Sequence, residues 1–243
     1  MVRASHYLWS GLLHNLGMPI TSALAFALIT GQVNPDVRVY KKGKIEAEMR
    51  LGRIAGSNAL SNLARKTIRS VETKGYDEFM MQARETQRDF PDAEWPGCSY
   101  EASSKAAYQD ARTISIVLGC YQYMGGAHGV GVTRTYNFGI VAGKPKQLTL
   151  KDVVGANNVE KVQILLIEKI VAHPRTAWKD MGWLTELNAQ QLNRFWVGKK
   201  GLTWEFDPYE LASYADGPFS FSLSWVEMKG LISATSPLGH LAR

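Results

Sequence analysis

Three short stretches of this chain alternate apolar and polar residues with a period of two, and they limit its fold more than any other feature. Ile114, Ile116, Leu118 and Cys120 alternate with Thr113, Ser115, Val117 and Gly119. Leu202, Trp204 and Phe206 alternate with Thr203, Glu205 and Asp207; Phe219, Phe221, Leu223 and Trp225 alternate with serines. Successive side chains of a strand point to opposite faces, so this pattern specifies strands with one face in a core. Helical spacing governs a different region. Leu60, Leu63, Ala64, Ile68 and Val71 recur on one face within Ser57–Asp89. Gly75 is expected to interrupt that helix, Phe79, Met80 and Ala83 resume its apolar face, and Pro91 and Pro96-Gly97 end it.

The remaining segments fit the same scheme. Val37–Met49 reads as a strand or hairpin, and Tyr100–Tyr123 as two strands joined near Gln109-Asp110. Thr133–Ile140 is a further strand, Gly143-Lys144 a turn and Gln147–Leu150 a short strand. Asn157, with Glu160 three residues on, is expected to cap a helix carrying Val162, Leu165, Leu166 and Ile170 that stops before Pro174. Another helix is expected around Glu186–Phe195. Ser224-x-x-Glu227 is a capping box for a short final helix, and the tail after Ser233 is expected to fray. Helices segregated from runs of hairpin strands define an α+β fold, with antiparallel or mixed sheets and a few helices packed on one side.

Composition narrows the class. With 45% hydrophobic and 21% charged residues, the chain is neither disordered nor fibrous. The net charge of +6 is spread without a dense basic block. The nearest approach, Arg38–Lys44, reads as a solvated strand edge, so no nucleic-acid partner is expected. In the first thirty residues Arg3 is the only charge, and an apolar stretch, Met18–Ile29, carries small-x-small sites at Ala23–Ala25 and Ala25–Ala27. That order is expected of a secretory leader over residues 1–30, against the alternative of a buried N-terminal helix. The apolar run is short of the ~20 residues that span a membrane. The mature chain is therefore expected to have no stable span and to be secreted, periplasmic or associated with the cell envelope. In such a compartment Cys98 and Cys120 are expected to form a disulfide, because folding the chain about Gln109-Asp110 sets them opposite each other.

No spacing for a nucleophile elbow, a metalloprotease helix, a phosphate loop or a metal cluster is present. No catalytic residue, cofactor or metal is therefore expected. Of the five histidines, His6 and His14 leave with the leader, His173 ends a helix and His240 lies in the tail. Only His128 has the setting of a general base, which leaves an envelope hydrolase as one alternative.

Two stretches carry a resemblance. Tyr121–Asp152 reads YQYMGGAHGVGVTRTYNFGIVAGKPKQLTLKD, and Leu202–Gly217 reads LTWEFDPYELASYADG. Together they resemble the RsiV-type extracellular domain family, found in an anti-sigma factor that senses lysozyme and ahead of the catalytic domain in PdaC-type peptidoglycan deacetylases. The resemblance covers residues 37–233. Gly139 stands where the family usually has Asp, and Ser213 where it has Pro. It implies an N-terminal subdomain over 33–124, a C-terminal one over 125–235, and a tail over 236–243. It implies a binding domain whose partner is a lysozyme-like protein or a component of the cell envelope; a cell-wall glycan is the alternative. No catalytic domain is expected to follow.

The physical character of the motif residues points to one candidate surface. Gly125 and Gly126 allow a sharp turn, with His128 beside them either as a partner contact or as a fastener of its own loop. Asp207-Pro208-Tyr209 ends a strand and starts a turn, where Asp is expected to bond the following backbone. Tyr209 and Tyr214 either bury their rings or face a ligand together with Glu210 and Asp216. The candidate partner-binding residues are thus His128, Tyr209, Glu210, Tyr214 and Asp216, with Asp207, Glu210 and Asp216 as a local acidic patch for a basic partner.

Overall fold

The structure, a computed structural model, describes residues 36–90, 96–176 and 186–242. Over these described residues it is an α+β fold of two sheets and four α-helices. Strands β1 (Asp36–Lys42) and β2 (Ile45–Leu51) form a hairpin about Gly43. Helix α1 (Ala59–Asp89) then carries the chain to β3 (Cys98–Gln109), which lies parallel to β2. Parallel neighbours need a crossover of this kind. Strands β4 (Thr113–Tyr123), β5 (Val130–Val141) and β6 (Lys144–Gln147) continue as an antiparallel meander, giving a six-stranded sheet in chain order. Helices α2 (Leu150–Val154), α3 (Val159–Ala172) and α4 (Ala189–Asn193) precede a three-stranded antiparallel sheet of β7 (Phe195–Val197), β8 (Gly201–Phe206) and β9 (Phe219–Ser224).

The helix-spaced residues of α1 cover one face of the large sheet. Phe79, Met80 and Ala83 pack with Ile45, Met49, Tyr100 and Leu118, while Leu60, Ala64 and Ile68 pack with Ile114, Ile116 and Phe138. Gly75 does not interrupt the helix. A Cβ there would stand 2.9 Å from the Tyr100 hydroxyl, so glycine serves close packing of helix on sheet. The second core joins Val162, Leu166 and Ile170 of α3 to Phe195, Trp204, Phe221 and Leu223. Burying each such large side chain stabilises the fold by about 2–3 kcal/mol relative to leaving it in water.

The two sheets meet through a strand edge. β7 pairs only with β8, which leaves its other edge open. Side chains of the large sheet cap that edge: Asn137 Nδ2 donates to the Phe195 carbonyl at 2.6 Å, and the Val197 amide donates to Ser115 Oγ at 2.8 Å. Ser115 and Asn137 also bond each other at 2.7 Å, and both are buried. The polar positions of the β4 and β5 alternation are therefore the joint between the sheets, not a solvated face.

Several expectations change. Leu150 begins a helix, so the strand after the β5–β6 turn ends at Gln147. Helix α3 starts at Val159 behind a 3-10 turn, Ala156–Asn158. Asn158 supports it by donating to the Val154 and Leu231 carbonyls. The Ser224–Glu227 box forms, but turns follow it in place of a helix. The tail does not fray over its described residues. Leu238 is fully buried, His240 Nε2 lies 2.7 Å from Asp110 Oδ2, and Pro237 sits on Gly139. A Cβ at Gly139 would lie 2.7 Å from Pro237 Cγ, so a glycine fits this seat. The segment read as a leader, residues 1–30, lies outside the described residues. Among those residues, no helix is long and apolar enough to cross a membrane.

The disulfide is absent; both cysteines are free thiols. The hairpin turns at Asp110–Arg112, where Asp110 Oδ1 accepts the amides of Arg112 and Thr113, each at 2.7 Å. That lies about two residues beyond the expected centre, so pairing slips by about four. Ala102 faces Cys120, and Cys98 falls beyond the Ser99–Tyr123 pair. The offset is about 13 Å of strand, against a limit of ~7 Å between bridged Cα atoms. Thiol titration of the denatured, unreduced chain is expected to detect both cysteines; their failure to react would restore the bridge.

Candidate functional site

The site grows from an unpaired strand edge. β6 covers only Phe138–Val141 of β5, so among the described residues the stretch from Val130 to Asn137 has β4 on one side and no strand on the other. At the open edge the Thr133 amide donates to Asp207 Oδ1 at 2.7 Å. Asp207 follows the last residue of β8, so one carboxylate ties the end of the second sheet to the edge of the first. Its other oxygen accepts from Arg134 Nη1 at 2.6 Å and Arg194 Nη1 at 2.7 Å. Glu210 completes the network: Oε2 takes Arg194 Nη2 and, at 2.6 Å, the Asp207 amide.

Two carboxylates and two guanidinium groups thus balance each other. Arg194 is only 5% exposed, and its guanidinium lies 6.0 Å from the centre of the Phe206 ring. A guanidinium taken out of water needs such paired acceptors, because an uncompensated buried charge costs several kcal/mol.

Held in this way, the second motif lies against the glycine-rich loop of the first. Tyr214 Oη donates to the Gly129 carbonyl at 2.8 Å. Burial raises the Tyr214 pKa, with smaller contributions from Tyr121 and Tyr209, so the hydroxyl stays a donor at neutral pH. The His128 ring stacks on Tyr214, 4.0 Å between centroids and 22° between planes, and its Nδ1 lies 3.0 Å from the Gly129 carbonyl. Tyr209 continues the stack at 5.5 Å from Tyr214. Glycine at 129 is required, because a Cβ would lie 2.3 Å from the Tyr121 ring. Tyr209 holds φ at +70°, a left-handed conformation that costs a non-glycine residue about 1–2 kcal/mol. Its ring is nonetheless 63% exposed.

The five sequence-expected residues therefore divide. His128, Tyr209 and Tyr214 form one exposed aromatic face. Glu210 is turned inward onto Arg194, and Asp216 accepts the Ser213 hydroxyl at 2.6 Å within the 3-10 turn Tyr214–Asp216. The acidic patch is not there, because Arg134 and Arg194 neutralise Asp207 and Glu210. Asp207 bonds another strand, not its own turn, and Tyr209 leaves its ring in solvent. Arg134, Arg194 and Gly129 were not singled out from the sequence. The signal for the arginines was a lone cation inside a strand pattern, TRTYNF, and another before the buried Phe195. Among the described residues, no three His, Cys, Asp or Glu side chains cluster as metal ligands would.

Replacing Asp207 by Ala is expected to destabilise the chain by about 3 kcal/mol, since buried Arg194 keeps only Glu210 and the Thr133 amide loses its acceptor. Adding Arg194→Met should recover part of that loss. Urea unfolding at pH 7 measures both; an Asp207→Ala variant as stable as the natural chain would contradict the network.

Two family models match separate stretches of the chain. Residues 40–131 match the family model described as "Deacetylase PdaC", and residues 153–226 match that of the "Protein of unknown function (DUF3298)". A DUF3298-family crystal structure from Bacteroides fragilis superposes with a TM-score of 0.54 at 14% identity, covering 86% of this chain and 99% of that one. Another from Pseudomonas aeruginosa gives 0.51 at 14% identity, covering 84% and 96%. At that identity the likeness shows the fold. Comparison with curated proteins gives no match. The chain thus carries a stretch that matches the PdaC model, followed by one that matches the DUF3298 model.

Proposed function

We propose that this chain is an extracytoplasmic, non-enzymatic binding domain that takes a lysozyme-like protein of the cell surroundings on the face formed by His128, Tyr209 and Tyr214. The observation that carries this reading is the exposed aromatic stack itself, fastened from beneath by Gly129 and from the side by the Asp207 network. Rigid tyrosines offer a large amphipathic contact area at small entropic cost, and such residues dominate protein interfaces. His128 has a tyrosine ring and a backbone carbonyl as its partners, and among the described residues no carboxylate bonds it as the orienting acid of a general base would. The family resemblance supplies the class of partner, and the leader-like first thirty residues supply the location.

The neutralised carboxylates set how binding should respond to salt. Common lysozymes are basic and this chain carries +6, so long-range attraction does not drive the encounter. Isothermal titration of the full-length chain against hen lysozyme is expected to show saturable binding, with loss of muramidase activity. Affinity should change little between low and physiological salt. Tyr209→Ala and His128→Ala should each weaken binding about tenfold or more. No heat, or unchanged affinity in both variants, would overturn the reading.

A further inference from the structure

A separate surface lies on the three-stranded sheet. Trp196, Thr203 and Ser222 stand opposite one another across β7, β8 and β9. They share the face turned away from the core residues Phe195, Trp204 and Phe221. With Lys199, Lys200 and Glu227 they line a groove of about 480 Å³. That size lies within the range of small-molecule sites, ~300–1,000 Å³.

The groove has three kinds of contact, each fixed by the fold. Trp196 is half-buried, and its Nε1 donates to Glu205 Oε1 at 2.7 Å. Glu205 is itself 5% exposed and takes the Ser220 hydroxyl on its other oxygen at 2.5 Å, so the indole cannot turn away. On the floor, the Thr203 and Ser222 hydroxyls bond each other at 2.8 Å, and each keeps further hydrogen-bonding capacity. At the rim, the turn carrying Lys199 and Lys200 is anchored because Trp225 donates to both of their carbonyls, at 3.0 and 2.9 Å. The two lysine side chains are exposed, and among the described residues no carboxylate lies within ion-pair distance of either. Glu227 does not offset them. It is paired with Lys169 Nζ at 2.7 Å and bonded by the Ser224 hydroxyl at 2.6 Å.

We propose that this groove binds a carboxylate-bearing sugar. The apolar face of the sugar ring would lie on Trp196, its hydroxyls would bond Thr203 and Ser222, and its carboxylate would meet Lys199 and Lys200. A small inorganic anion would leave the indole unused, and a neutral sugar would leave both lysines unused. The groove shares no residue with the aromatic face of His128, Tyr209 and Tyr214, so the two sites stand or fall separately.

The test follows the Trp196 indole N–H by NMR while the full-length chain is titrated with N-acetylmuramic acid, with N-acetylglucosamine, which lacks the carboxylate, and with inorganic phosphate. N-acetylmuramic acid is expected to shift the signal saturably and to bind about tenfold or more tightly than the neutral sugar. The double substitution Lys199→Glu and Lys200→Glu, on an exposed turn and with melting temperature unchanged, should erase that preference. Thr203→Val should weaken both sugars. Lysozyme binding should be untouched by the lysine substitutions. Equal binding of the two sugars, no saturable shift, the same response to phosphate, or a preference that survives the lysine substitutions would each overturn the proposal.

Discussion

The aromatic face of this chain depends on one carboxylate filling one open strand edge. Asp207 accepts the Thr133 amide where β5 has lost its neighbour, and in the same step neutralises Arg134 and Arg194. Without an acceptor there, the edge would be a free template for pairing with another chain. With it, the turn from Asp207 to Gly217 is held against the start of β5, and Tyr214 reaches the carbonyl of Gly129. The joint at β7 follows the same rule, with Asn137 and Ser115 standing in for a missing strand. Polar side chains that close open edges are thus what unites the two sheets, and the apolar cores lie to either side of that seam.

The fold was largely legible in the sequence, because its elements are set by local periodicity. The alternations at 114–120, 202–206 and 219–225 mark strands, and the α1 spacing marks a helix. What failed was whatever depended on distant contacts. Gly75 looks like a helix breaker until Tyr100 is seen pressing on it. The tail looks free until Gly139 opens a seat for Pro237. Cys98 and Cys120 look paired until the position of a single turn shifts their register, an error to which a period-two structure is acutely sensitive.

The site was legible only in part, and for a related reason. Motif residues that make turns or carry rings can be picked out by type, and three of them do come together as one face. Charge cannot be assigned in the same way. Asp207 and Glu210 look like surface acids because the cations that pair with them are distant in sequence: Arg194 lies 13 residues before Asp207 and Arg134 lies 73 residues before it. Which carboxylates remain available to a partner is decided by pairings that only the three-dimensional fold reveals. The consequence is a surface whose character is aromatic and not acidic.

The central claim is that the glycine-rich loop and the Asp207–Gly217 turn meet as a preformed aromatic face. Proton NMR of the His128 ring tests it most directly. A ring stacked on Tyr214 at 4.0 Å is expected to show resonances well upfield of an unstructured histidine, with contacts to the Tyr214 ring, and to lose that displacement in Tyr214→Leu. Unshifted His128 resonances, indifferent to the Tyr214 substitution, would mean that the two motifs do not meet.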